Sequence, residues 1–192
     1  MVRALPFLSV AVSTRISSPP EAAVTAGSGA RRFGADYSAC GLYRYSLWRD
    51  WSTSSEPARA ILWIMLNPSR ADHLGNNDPT IERCERRSAG WGFTRMEVVN
   101  LFALSSPYPE ALRTAADPVG PLNDARIAAS AKPATMILCA WGTHGSLLER
   151  STTVRAMLAD YPLHCLGVTR AGEPAHPLYL PYERRPIPYG RA

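Results

Sequence analysis

The stretch ILWIMLNPS, residues 61–69, decides how the chain reads. Six apolar residues run without a polar break and stop at Asn67-Pro68-Ser69. A run this short, with no alternation, suits a strand buried on both faces. The same form recurs along the chain. MEVV (96–99) stops at Asn100, and TMILCA (135–140) stops at Trp141-Gly142-Thr143-His144-Gly145. LHCLGV (163–168) stops at Thr169, with His176-Pro177 a few residues on. The stretches between these runs read as helices, and alternating strands and helices predict a parallel sheet. Ligands of such sheets sit outside the carboxyl ends of the strands. The polar residues that close each run therefore fall where a site belongs.

The connecting segments carry their own signals. Asp78-Pro79 has the form of an N-cap followed by proline at the first helical position, predicting a helix to about Ala89 with Gly90 as its stop. Further helices are expected over 122–131 and over 146–160, the latter the longest, with Leu147, Val154, Met157 and Leu158 as its apolar stripe. YRYSLWRDW (43–51) is aromatic and alternating and predicts an edge strand or hairpin upstream of the parallel strands. The proline-rich tail from Pro174 is expected to be irregular. Residues 1–35 form a Pro/Ala/Gly/Ser-rich segment with an apolar stretch at 4–12, read as disordered or extraneous; a signal peptide, a transit peptide or an early start would each look this way. Residues 36–192 are then a single α/β domain.

Bulk composition narrows little. The formal charge is +5, but residues 1–35 hold four arginines against Glu21 alone, so net charge is weak grounds for a polyanion partner. Cys40, Cys84, Cys139 and Cys165 lack the paired spacing of a metal site and read as reduced thiols, which fits a cytoplasmic protein. No run has the length of a membrane span, and no cofactor or metal is expected. A serine elbow, an H-E-x-x-H helix and a P-loop are all missing from the sequence.

Several residues admit two readings. Asn67 is a turn former before proline, or a side chain held in place to bind a water or ligand, with Ser69 at the same mouth. Asp72, His73 and Asp78 form a polar cluster with the donor types of a metal site, but Asp78 has a capping role, so Asp72 reads as solvated or supporting the site rather than as a metal ligand. Asn100 interrupts an apolar run; its amide either bridges backbone or meets the edge of a nucleobase. Trp141-Gly142 and His144 lie on a glycine-rich turn that is plain geometry or an anion site. His176, held between Pro174 and Pro177, is a surface histidine or a donor to a developing anion. His164 reads as structural. Arg83, Arg86 and Arg87, interleaved with Glu82 and Glu85, read as a solvated, ion-paired helix face.

At this point MLNPSRAD, NDPTIERC, VVNLFAL, DPVGPLNDA, AWGTHG and LGVTRAGEPAHPLYL, with CGLYRYSLWRDW upstream, resemble domain-of-unknown-function family 1643 of bacterial and phage proteins. That resemblance covers about residues 36–181 and implies no activity. More distantly, the order of Asn67-Pro68, Asn100, the Ala140-Trp141-Gly142 turn and His176-Pro177 is similar to the uracil-DNA glycosylase superfamily. This second resemblance implies a three-layer α/β sandwich with a central four-stranded parallel sheet. It implies hydrolysis of an N-glycosidic bond in DNA or a nucleotide. Asn67 would position water, Asn100 would read the base and His176 would stabilise the leaving base, with Leu178 or Tyr179 as a wedge. The chain departs from that pattern at Met65 and Ser69, where the superfamily has glycines, and at Leu178, where it has serine. The rival reading is a non-catalytic module on the same fold that binds a nucleobase, a nucleotide or a small ligand.

Overall fold

The computed structural model describes residues 31–53, 59–69, 71, 73–108 and 110–190. Asp72 and most of the 1–35 segment lie outside them. The described residues form an α/β structure around one mixed sheet. Its strands in chain order are β1 (Arg32–Tyr37), β2 (Arg44–Asp50), β3 (Ala60–Met65), β4 (Arg95–Asn100), β5 (Met136–Cys139), β6 (Leu163–Cys165) and β7 (Ile187–Pro188). They lie side by side in the order β1-β2-β4-β3-β5-β6-β7. The pairs β4–β3, β3–β5 and β5–β6 are parallel, whereas β1–β2, β2–β4 and β6–β7 are antiparallel.

The apolar runs are continuous because both sheet faces are covered. Leu62 and Ile64 of β3, Val99 of β4 and Cys139 of β5 pack with Ile127 of helix α3 (Asn123–Ala131) and Val154 of helix α4 (Arg150–Met157). A one-turn helix, α2 (Ala111–Thr114), adds Leu112 to the same side. The alternate residues Ile61, Trp63 and Met65 pack with Ile81 and Cys84 of helix α1 (Pro79–Gly90) on the other face. The indole N–H of Trp63 donates to Ser88 Oγ, so this fully buried ring leaves no polar atom unpaired.

Several expectations change. The sheet has seven strands and is mixed, because antiparallel strands extend it on both sides. β2 lies one strand in from the edge and forms with β1 the antiparallel hairpin there, and β1 includes residues 32–35, which the sequence assigns to the N-terminal segment. α1 ends at Gly90 itself, one residue past the expected Ala89, with Trp91 as its cap, and it is Gly92 that takes the left-handed conformation (φ +78°). No single helix spans 146–160. A 3-10 segment over Thr143–Glu149 precedes α4, and Leu148 and Glu149 adopt positive φ. The break has a packing cause: Gly145 lies against the Trp141 ring, where a Cβ would sit 2.0 Å from Cδ1, while Arg150 turns inward to Leu101 and Asp124. The tail is not wholly irregular, since β7 pairs with β6.

The arginines of α1 do not form a solvated face. Arg87 is buried and donates to the carbonyls of Leu180, Pro181, Tyr182 and Arg184, and Arg83 donates to that of Leu180. The helix thereby holds residues 180–184 as a strap. Of the cysteines, Cys84, Cys139 and Cys165 are buried, Cys40 is exposed, and all four are free. Among the described residues no helix is long and apolar enough to cross a membrane.

Candidate functional site

The chain runs from β3 through α1 to β4 on one side of β3, then crosses back through α3 to β5 on the other. A crevice opens at the carboxyl ends of such strands. A cavity of about 570 Å³ lies there. β3 supplies Met65, Leu66 and Asn67 to its wall, β4 supplies Asn100, and the turn after β5 supplies Trp141, Gly142 and His144. Ser69, His176 and Leu178 join them, so the structure brings these expected residues to one place, while Asp72 lies outside the described residues. Pro68 is close behind: its carbonyl accepts from Asn67 Nδ2 (3.1 Å) and from the Ser106 amide (3.0 Å). His73 is exposed and is not among the lining residues. His164 is remote, on β6.

Asn67, Trp141 and His176 are held in place by hydrogen bonds. Asn67 spends both Nδ2 hydrogens on backbone carbonyls, those of Pro68 and Ser106 (2.8 Å). Because both partners are acceptors, the amide orientation is fixed, and Oδ1 remains as an acceptor with no partner among the described residues.

Asn100 is 2% exposed, and its Nδ2 has no hydrogen-bond partner among the described residues. Its backbone is firmly placed. The carbonyls of Asn100 and Leu101 accept from Nδ2 of the fully buried Asn123 (2.9 and 3.0 Å), and Arg150 Nε donates to Leu101 (3.1 Å). A rigid backbone therefore presents a buried donor that nothing among the described residues satisfies.

His176 precedes a short 3-10 turn, Pro177–Tyr179, and its Nδ1 accepts from the Leu178 amide at 3.3 Å. The ring proton is then on Nε2. Burial pushes the imidazole below its usual pKa, with the charge of Asp78 opposing, so the neutral ring is favoured. Gly142 (φ +74°) packs beside it, 3.6 Å from an ideal Cβ to His176 Cβ, and donates its amide to the Pro174 carbonyl.

Trp141 is 1% exposed and forms part of the cavity wall; its Nε1 donates to Glu173 Oε2 at 2.6 Å. The other carboxylate oxygen accepts from Ser151 Oγ at 2.8 Å. Glu173 thus ties the β5 turn, α4 and the loop after β6 together.

The sequence gives no sign that Arg44 or Ser106 lies on the wall, and it gives Asp78 only a capping role, whereas Thr143 and Thr169, among the residues that close the apolar runs, do line the cavity. Asp78 Oδ1 does cap α1, accepting from the amides of Thr80 and Ile81 (3.0 and 2.9 Å), but the residue also lines the cavity. Arg44 is buried and donates to the Ala71 carbonyl. A cation at the start of an aromatic strand gives no sequence signal, since its role depends on a loop 27 residues away. Among the described residues no group of three or more His, Cys, Asp or Glu side chains is placed to hold a metal ion.

Fold and site together define the class: an α/β protein with a half-open, mostly apolar cavity at the carboxyl ends of its parallel strands, into which a few polar side chains converge. The chain belongs to the family described as Protein of unknown function (DUF1643), which matches residues 44–178. No curated protein and no solved structure matches it, so the likeness to uracil-DNA glycosylases receives no support from either comparison. The family match takes in the cavity residues from Arg44 to Leu178; Tyr179 and the strap over 180–184 follow it.

Proposed function

We propose that the cavity receives a nucleobase and that the protein hydrolyses the N-glycosidic bond holding it, in DNA or in a nucleotide. The observation that carries this reading is the unpartnered Nδ2 of Asn100, a buried donor on the wall of a cavity that also holds a neutral histidine. Leaving such a donor unmet costs about 1–3 kcal/mol, and the carbonyl edge of a base would meet it. The Asn67 carboxamide would orient a water through Oδ1. As the water oxygen bonds to the sugar C1′, the glycosidic pair leaves with the base, and His176 Nε2–H stabilises the developing anion. The water's proton ends on the departed base nitrogen, giving a neutral free base and an abasic sugar. Leu178 on the wall, or the 81% exposed Tyr179 beside it, would serve as the wedge.

One observation favours the second reading, a binding module without turnover. Asn67 can orient a water but cannot take its proton, and Met65 fills part of the wall where a smaller residue would admit the sugar more closely. The test is incubation of the chain with oligonucleotides carrying uracil, mismatches or modified bases, measuring free base and alkali-labile sites. Release by the wild type and not by Asn67→Ala/His176→Ala supports hydrolysis. Saturable binding with no release on any substrate supports the module.

A further inference from the structure

Beside the cavity rim, five arginines lie on two neighbouring segments: Arg83, Arg86 and Arg87 on α1, and Arg184 and Arg185 along and just after the strap. The guanidinium carbons of the first three are 4.7, 4.9 and 5.0 Å from the centroid of one ring, Tyr182, a cation–π arrangement that gathers like charges. Arg87 is consumed by strap carbonyls. Arg86, Arg184 and Arg185 are exposed, and their side chains make no hydrogen bond or ion pair among the described residues. Elsewhere Arg32 and Arg95 meet Asp50, Arg126 meets Asp36 and Arg150 meets Asp124, while the exposed Arg113, Arg155 and Arg170 lie apart from one another on separate segments; among the described residues, only along α1 and 184–185 do unpaired guanidinium groups gather. The acids of α1 are turned away, Glu82 and Glu85 toward Asn77 and Glu85 also toward Arg31, leaving Glu183 as the one carboxylate in 180–185. The ridge begins where the cavity ends, since Tyr179 and Leu180 line the cavity and residues 181–185 continue from them.

We propose that this ridge is a docking surface for the phosphodiester backbone of a nucleic acid strand, which passes the cavity mouth so that one base can enter. The choice of polyanion rests on the nucleobase reading of the cavity. A polymer fits better than a free nucleotide because the unmatched charges extend past the rim, along α1 and along the chain to Arg185, where a strand would place successive phosphates. Exposed Tyr179 at the junction offers a stacking face of the kind that strand-binding grooves combine with cations.

The test is fluorescence anisotropy of the full chain with labelled single-stranded and duplex oligonucleotides, against salt, with uracil binding measured alongside. Arg86→Glu/Arg184→Glu/Arg185→Glu is expected to weaken strand affinity at least about tenfold. On a single strand it should also flatten the salt dependence, by about 0.7 in log–log slope for each phosphate that the variant leaves unneutralised. Its uracil affinity should stay at the wild-type value. The matching triple Lys variant should keep most of the strand affinity, because charge rather than packing on Tyr182 carries the interaction. Unchanged strand affinity in the Glu variant would overturn the proposal, as would an equal weakening in the Lys variant. Binding to phosphatidylserine vesicles with no binding to any oligonucleotide would overturn it in favour of a membrane surface. Strand binding abolished in the Glu variant, with no uracil bound by the wild type, would support the ridge and refute the cavity reading, so the two fail separately.

Discussion

A buried amide donor with no partner among the described residues, such as Asn100 Nδ2, costs the fold about 1–3 kcal/mol. Asn100→Leu replaces it with an apolar group of similar size in a strand end already lined by apolar neighbours. Urea denaturation should show this variant at least as stable as the wild type, and by about 1 kcal/mol more stable if the desolvation penalty is fully relieved. Base discrimination should be lost. A clear destabilisation would mean that the amide serves the fold instead. His176 gives a second residue-scale test. Its pKa is depressed by burial, so between the folded pKa and the ordinary value of 6.5 the unfolded state binds more protons than the native one. Stability from this group is complete above about 6.5 and is lost as pH falls toward the folded pKa. Denaturation midpoints of His176→Gln should therefore fall less than those of the wild type on acidification. The ring ¹⁵N shifts should report the Nε2–H form; an Nδ1–H tautomer would contradict the Leu178 hydrogen bond.

At the scale of elements, the packing of α1 on the strap carries the loop that presents His176. Arg87 donates to four carbonyls between 180 and 184 and is 2% exposed. Arg87→Met, which keeps the stem and removes the donors, is expected to cost about 3 kcal/mol or more and to make the tail after Tyr179 sensitive to limited proteolysis. Resistance of that tail in the variant, equal to the wild type's, would argue against the strap being held this way. Gly145→Ala should cost about 1–3 kcal/mol by pushing the Trp141 ring from its place, seen as a shift in tryptophan emission. Elements differ in how legible they are. The strands were readable because an unbroken apolar run has one good explanation when both faces are covered, and Asp78-Pro79 marked the start of α1 for a local reason. The break at Leu148–Glu149 was not readable, because the apolar stripe through Leu147 and Val154 suits a helix and the bend comes from the packing of Trp141 and Arg150. The fate of Arg83 and Arg87 was hidden in the same way: local spacing pairs them with Glu82 and Glu85, whereas the partners are carbonyls about 95 residues on.

Across the whole molecule, the cavity exists because chain order and sheet order disagree. β3 is first of the parallel strands in sequence, yet β4 and β5 lie on either side of it, and the loops that leave these strands part around the opening. That much followed from the sequence, since each apolar run ended in residues suited to a site. The antiparallel extensions did not, because β7 is two residues long and β1 lies in a stretch whose composition reads as non-core. The most direct measurement is the side-chain amide spectrum of Asn100 in labelled protein, titrated with uracil and then with each of the other common nucleobases. With a base accepting from Nδ2, the Asn100 amide protons should move downfield and saturate, while those of Asn123, bound to backbone, stay in place. No base moving the Asn100 signals, at concentrations where the fold is intact, would contradict the nucleobase reading of the cavity.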